Sequence, residues 1–223
     1  MIKDMVVNLT GGAPQELTAD YAISLAKLFE AHIAGVGFVY EPVIPGSVLG
    51  GIPTDLIDAQ REESSKAAKA ATSRFETAAR AAGLSAETRI LDASVAGAAD
   101  LFGRIARRFD LAVIGQARPE EGASEELMIE GALFESGRPL VVVPFVQTRP
   151  ATLERVLVCW DGSRPATRAI ADALPFLHRA KAVEVVTVAT EPLKSDDLPG
   201  VDIVHHLARH NLKADVKRTV RGG

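Results

Sequence analysis

Cysteine and long apolar runs are nearly absent from this sequence of 223 residues. Its single cysteine, Cys159, excludes a disulfide within the chain, so a reducing compartment such as the cytoplasm is expected. No apolar run approaches the roughly 20 residues that a bilayer-spanning helix needs. The first residues also lack the layout of a signal peptide. We therefore expect a cytoplasmic protein without a membrane partner.

Strong charge of one sign and catalytic motifs are also missing. The formal net charge is −4, and without a basic excess nucleic acid is not an expected partner. The sequence has no Gly-x-Ser-x-Gly elbow and no Walker-type phosphate loop, and Ser163 has no evident base beside it. These absences predict a protein that is not an enzyme.

The chain does contain an internal repeat. A segment that begins at Met5 matches a segment that begins at Val156, in register apart from a single-residue gap. Each has an apolar run, a glycine-containing turn, an alanine-rich helical stretch, a second strand and a Glu-Pro pair. The repeat predicts two domains, at residues 1–147 and 152–223. The second copy is expected to be incomplete, because its matching elements stop after a third strand.

Strands and helices alternate in both copies. Apolar spacing predicts a helix over 55–82, whose inward face consists of Ala67, Ala71, Phe75, Ala78 and Ala82. Unbroken apolar runs such as 110–115 and 139–145 are typical of strands buried on both faces of a parallel sheet. In the second copy the predicted elements are 155–160, 165–178, 183–189, about 200–210 and 213–220. The alternation predicts an α/β fold with a doubly wound sheet that binds ligands at the carboxyl ends of its strands. Cys159 is expected to be buried, because it lies inside a strand.

Three stretches resemble universal stress proteins. Residues 155–174, RVLVCWDGSRPATRAIADAL, resemble the opening of a domain of that family, whose first strand ends in Asp-Gly-Ser before an alanine-rich helix. Residues 110–118 and 138–144 resemble its fourth and fifth strands. The resemblance implies a Rossmann-like α/β sandwich with five parallel strands, of the adenine nucleotide alpha hydrolase-like type. It also implies pairing through the fifth strand, into a homodimer or an intramolecular pseudo-dimer. Some members of this stress-response family bind ATP or AMP, and others act without a ligand.

The nucleotide motif of the family is eroded in the first copy. ATP-binding members carry Gly-x2-Gly-x9-Gly-(Ser/Thr) after the fourth strand, where backbone N–H groups wrap the phosphates. Counted from Gly115, the remaining motif positions fall on Arg118, Met128 and Ile129, so only Gly115 is retained. Gly131 fits neither this count nor one made from the fifth strand.

Charge and the first strand also disfavour a nucleotide in the first copy. Four acidic residues crowd the loop and the following helix start: Glu120, Glu121, Glu125 and Glu126. They favour the helix through its dipole, but they repel a phosphate. Thr10 stands where the family has its adenosine-contacting Asp. We expect a capped helix and no ligand in this domain.

The second copy keeps the family pattern at Asp161, Gly162 and Ser163. Two interpretations remain open, since these residues suit contact with ATP or AMP and also suit a turn that caps a helix. The candidate binding residues are therefore Asp161, Gly162, Ser163 and, in the first copy, Gly115. For the whole chain, the leading hypothesis is a universal stress protein that is not an enzyme. The alternatives are a ligand-free interaction scaffold and a weak ATP-hydrolysing enzyme.

Two further features have a structural and a functional interpretation. His206 and His210 have the spacing of a two-histidine metal clamp, but no third ligand is apparent, so a solvated helix face and no metal are expected. The apolar loop 41–55 either packs against its own sheet edge or forms a contact surface for a partner.

Overall fold

The structure is a computed structural model that describes residues 1–9, 17–41, 54–117, 124–189 and 201–220. The chain divides into two compact units, Met1–Ala151 and Thr152–Gly223. The assignment of one family repeat to each unit stays a prediction. Among the helices that the structure describes, none combines the length and the apolar character needed to span a membrane.

The first unit is a parallel sheet between two layers of helices. Its strands are β1 (Asp4–Leu9), β2 (His32–Tyr40), β3 (Ala86–Ala93), β4 (Leu111–Gly115) and β5 (Leu140–Val143), and its helices are α1 (Leu17–Phe29), α2 (Thr54–Ala81), α3 (Val95–Ala106) and α4 (Ser124–Glu135). The strand order is β3-β2-β1-β4-β5, and every pair of neighbours is parallel. The predicted doubly wound, five-stranded parallel sheet is confirmed.

The central strands carry side chains that are buried on both faces. Residues 5–9 of β1 and the first four residues of β4 are all buried, as expected for strands under helices on both sides. One core cluster joins Val6, Val36 and Ile114 of the sheet to Phe102 of α3 and Met128 of α4. This packing fixes the starts of α3 and α4 at the carboxyl edge of the sheet.

The buried face of α2 differs from the predicted one. Ala71 and Phe75 are buried as expected, but the other buried positions are Ala68, Thr72 and Ala79. The predicted Ala67, Ala78 and Ala82 are only half-buried, and the prediction did not include Thr72. Its hydroxyl donates to the Ala68 carbonyl oxygen at 3.0 Å within the same helix, so the side chain enters the core with its hydrogen bond already made.

The second unit repeats the order of elements seen at the start of the first. It consists of β6 (Arg155–Cys159), α5 (Arg164–Leu177), β7 (Ala182–Ala189), α6 (Val201–Arg209) and β8 (Ala214–Val220). The strands form a parallel sheet in the order β6-β7-β8, just as β1, β2 and β3 are neighbours in the first sheet. Both helices contribute to one core, Ile170 and Leu177 from α5 and Ile203 and Leu207 from α6.

The prediction that Cys159 is buried is wrong. Successive strand residues face opposite sides of a sheet, and Val158 faces the core that α5 and α6 cover. Leu157 and Cys159 therefore lie on the other side, where Leu157 is 54% exposed and Cys159 is exposed. In the described part of this unit, both helices pack on the Val158 side.

Candidate functional site

The carboxyl edge of the first sheet is the expected ligand position in a doubly wound fold. Gly115, the last residue of β4, lies at this edge and pairs with Val143. A Cβ atom at Gly115 would lie 2.6 Å from the Thr18 Oγ1 atom in the first turn of α1. Close packing of α1 therefore accounts for a glycine here without a ligand, and nucleotide contact by Gly115 remains a prediction.

The start of α4 carries negative charge. Glu125 and Glu126 lie in its first turn, and the Ser124 hydroxyl donates to Glu125 Oε2 at 2.7 Å. These carboxylates oppose the positive end of the helix dipole, which favours the helix. Arg118, Glu120, Glu121 and Thr10 lie outside the described residues.

Tyr40, the last residue of β2, lies close enough to Glu125 for the carboxylate to affect its pKa. Burial of its ring is the main cause that raises the pKa of the Tyr40 hydroxyl, and the nearby Glu125 carboxylate raises it further. The Tyr40 backbone N–H donates to Ser64 Oγ at 2.8 Å, so it is not free for a ligand. The Glu125 carboxylate therefore disfavours a further negative charge beside Tyr40.

One amide group at the start of α3 is also occupied. Ser94 is the N-cap residue, and its Oγ accepts a hydrogen bond from the Gly97 N–H at 3.2 Å. A capped first turn has fewer free N–H groups to offer a phosphate.

Asn8 of β1 is a polar residue that sequence reasoning missed. It is 4% exposed, and its side-chain oxygen Oδ1 accepts no hydrogen bond from the described residues. It lies on the same side of β1 as Val6, which packs with α3 and α4. Its position inside an otherwise apolar strand was the available sequence signal. A lone acceptor oxygen suits a hydrogen-bond donor and not a phosphate.

Gly131 lies within α4, where it packs against α3. A Cβ atom there would lie 2.5 Å from the Ala99 carbonyl oxygen, and one at Gly103 would lie 2.6 Å from the Gly131 carbonyl oxygen. The two glycines let the helix backbones approach closely. Gly131 is therefore explained by helix packing, in agreement with its failure to fit the nucleotide motif.

In the second unit, Asp161, Gly162 and Ser163 form a turn that caps α5. The Asp161 Oδ1 atom accepts from the Ser163 N–H at 2.8 Å, and Ser163 Oγ accepts from the Ala166 N–H at 3.2 Å. Gly162 has φ of 75°, which glycine adopts without strain. Hydrogen bonds from Ser163 lower the pKa of the Asp161 carboxyl group, so this exposed side chain is ionised at neutral pH.

The histidines of α6 are the remaining sequence candidates. His206 and His210 are both exposed, and their ring centroids are 4.8 Å apart in an edge-to-face arrangement. Within the described ranges, no group of three or more His, Cys, Asp or Glu residues is arranged to hold a metal ion. Most of the apolar loop 41–55 lies outside those ranges, so neither interpretation of it is tested.

Comparison with known proteins finds likeness in structure. No family model matches the sequence, and no curated protein matches it. A universal stress protein from Archaeoglobus fulgidus DSM 4304 matches with a TM-score of 0.69 at 17% identity, over 98% of this chain and 77% of that protein. A putative universal stress protein from Pseudomonas aeruginosa UCBPP-PA14 matches with a TM-score of 0.51 at 15% identity, over 97% and 74%.

Smaller structures match only part of the chain. A universal stress protein from Archaeoglobus fulgidus in complex with dAMP covers 64% of this chain and 99% of its own length, with a TM-score of 0.42 at 19% identity. The matches over nearly the whole chain agree with the resemblance found at its strand endings. The chain therefore has the fold of universal stress proteins.

Proposed function

We propose that this chain is a tandem universal stress protein that acts in the cytoplasm by binding and not by catalysis. In this proposal residues 1–147 are a ligand-free scaffold domain, and residues 152–223 belong to a domain that binds ATP or AMP. Support comes from the shared fold and from the repeated order of strands in the two units. A single, exposed cysteine fits a reducing compartment.

The observation that carries the scaffold role is the carboxyl edge of the first sheet. Glu125 and Glu126 occupy the first turn of α4, Thr18 fills the space beside Gly115, and Ser94 caps α3. A phosphate needs free N–H groups and positive charge at such an edge. This edge offers carboxylates at the start of α4, and the N–H groups of Tyr40 and Gly97 already donate to serine side chains.

The nucleotide role of the second unit depends on Asp161. Its carboxylate is ionised and exposed, while a hydrogen bond from the Ser163 N–H holds it at the carboxyl end of β6. A carboxylate held in this way suits an adenosine hydroxyl or amino group, because both donate hydrogen bonds. The turn thus supports the proposed contact as well as the cap.

Equilibrium dialysis with labelled ATP and AMP tests this assignment. We expect Asp161→Ala to weaken nucleotide binding about tenfold or more, since a charge-assisted hydrogen bond contributes roughly 1.5–3 kcal/mol. Asp215→Ala is the matched control, because it removes an exposed carboxylate of the same unit outside this turn and should leave the affinity unchanged. Equal affinity for the parent chain and Asp161→Ala would reject the role of Asp161.

A ligand-free interaction scaffold is the second candidate, and exposed apolar residues favour it. Val142 of β5 is 39% exposed, while Phe145 and Val146 beyond it are 37% and 71% exposed. In the described sheet, β5 pairs only with β4, so one edge is open. We propose that a second copy of the chain pairs through this surface to form a homodimer.

The absence of catalysis is part of the proposal and has its own test. The Ser163 hydroxyl accepts a capping hydrogen bond, and among the described residues no base contacts it. We expect no ATP hydrolysis. Phosphate release by the parent chain that exceeds release by Asp161→Ala would favour the enzyme instead.

A further inference from the structure

His206, on the solvent side of α6, and His210, the residue that follows α6, are four residues apart. Ile203 and Leu207 of this helix are buried in the core of the second unit, which holds the helix against its sheet. His206 and His210 are exposed. Their rings therefore project into solvent from a backbone that the core keeps in place.

The two imidazole rings are close enough to share an ion. Their centroids are 4.8 Å apart, and the ring planes are inclined by 61°. Two nitrogens bound to one tetrahedral ion lie about 3.3 Å apart, since each Zn–N bond is about 2.0–2.1 Å long. We expect side-chain rotation to bring ring nitrogens to that separation. Among the described residues, the contact found for these two rings is the one that they make with each other.

We propose that His206 and His210 form a clamp for one divalent ion of the late first transition row, such as Ni²⁺, Cu²⁺ or Zn²⁺. Neutral imidazole nitrogen favours these ions, whereas Mg²⁺ and Ca²⁺ take oxygen ligands. The described residues hold no cluster of three or more potential ligands, so water completes the coordination. The affinity is accordingly moderate. The bound ion links the last turn of α6 to the turn that follows it and stabilises the folded chain by mass action.

The first experiment is a calorimetric titration of the full chain with Ni²⁺ at neutral pH. We expect one ion per chain. His206→Gln and His210→Gln should each weaken binding about tenfold or more, because each leaves a single ligand. His205→Gln is the matched control, since His205 is exposed on the same helix and has Arg209 one turn further on. It should change the affinity less than about twofold. Mg²⁺ should not bind.

The second experiment reads the site in the unsubstituted chain. Paramagnetic Ni²⁺ should broaden the NMR signals of the His206 and His210 rings at substoichiometric amounts, before those of His32 and His178. This readout does not depend on the folding of any variant. Unchanged Ni²⁺ affinity in both His206→Gln and His210→Gln would overturn the clamp. Equal loss in His205→Gln, or earlier broadening of His32 or His178, would overturn it as well.

Discussion

The glycine at position 115 can be explained by packing against the Thr18 hydroxyl group or by contact with a phosphate. The Thr18 Oγ1 atom lies so close to Gly115 that it would clash with a Cβ atom added there. If packing requires the glycine, its replacement changes stability. If a phosphate requires it, replacement changes nucleotide binding. The two explanations therefore predict effects on different measurements.

Gly115→Ala tests the packing explanation. We expect a loss of about 1–3 kcal/mol in the free energy of unfolding, because an inserted methyl group overpacks this contact. Thr18→Ala in the same chain should recover most of the loss, since it removes the Oγ1 atom. Urea unfolding followed by circular dichroism measures all three variants. Additive effects of the two substitutions, with no recovery, would contradict the contact.

Sequence reasoning predicted the wrong burial for Cys159, and comparison with Asn8 shows why. Cys159 and Asn8 occupy matching positions of the repeat, yet Cys159 is exposed and Asn8 is buried. Strand character alone predicts burial for both. The difference arises because α3 and α4 cover the Asn8 side of the first sheet, whereas both described helices of the second unit pack on the opposite side of theirs. Which face is covered depends on distant elements and not on the strand.

The carboxylate of Glu184 links the three described strands of the second sheet. It lies on β7 and pairs with Arg155 of β6 at 3.1 Å and with Lys217 of β8 at 2.8 Å. The hydrogen bond from Lys217 is the largest cause that lowers the pKa of Glu184 from 4.5. Arg155 and the charge of Lys217 add to this effect, and burial opposes it. A lowered pKa contributes stability above pH 4.5, and that stability is lost as the pH falls through the lower value.

Glu184→Gln should therefore reduce the acid sensitivity of the second unit. Trp160, the only tryptophan of the chain, packs against the core of this unit and reports its unfolding by fluorescence. As the pH is lowered from 5 to 3, we expect the urea concentration at the unfolding midpoint of the parent chain to decrease. We expect a smaller decrease for Glu184→Gln. Glu154→Gln is the control, because the Glu154–Lys181 pair is largely exposed. Parallel pH profiles for all three chains would contradict the assignment.

Over the whole molecule, alternating strands and helices predicted the α/β class, because the buried parallel strands are unbroken apolar runs. The resemblance supplied the five strands. The candidate site was less predictable. The acidic start of α4 could be read directly from Glu125 and Glu126, which act through the local helix dipole. The contact of Thr18 with Gly115 could not, because it joins elements that are distant in sequence. The burial of Thr72 on α2 was not predicted either, since a threonine can enter a core when its hydroxyl makes a hydrogen bond inside its own helix.

The whole chain is expected to assemble into a homodimer. Pairing through the open edge of β5 would bury Val142, Phe145 and Val146, which are now partly or largely exposed, and would satisfy its unpaired backbone groups. Sedimentation velocity of the parent chain should show a dimer. Val142→Lys should weaken the dimer about tenfold or more, since it places a charge within the buried surface. Leu56→Lys is the control, because Leu56 is 53% exposed on α2 and lies outside the proposed surface. A parent chain that stays monomeric at high concentration would contradict the homodimer, and an unaffected dimer in Val142→Lys would place the contact elsewhere.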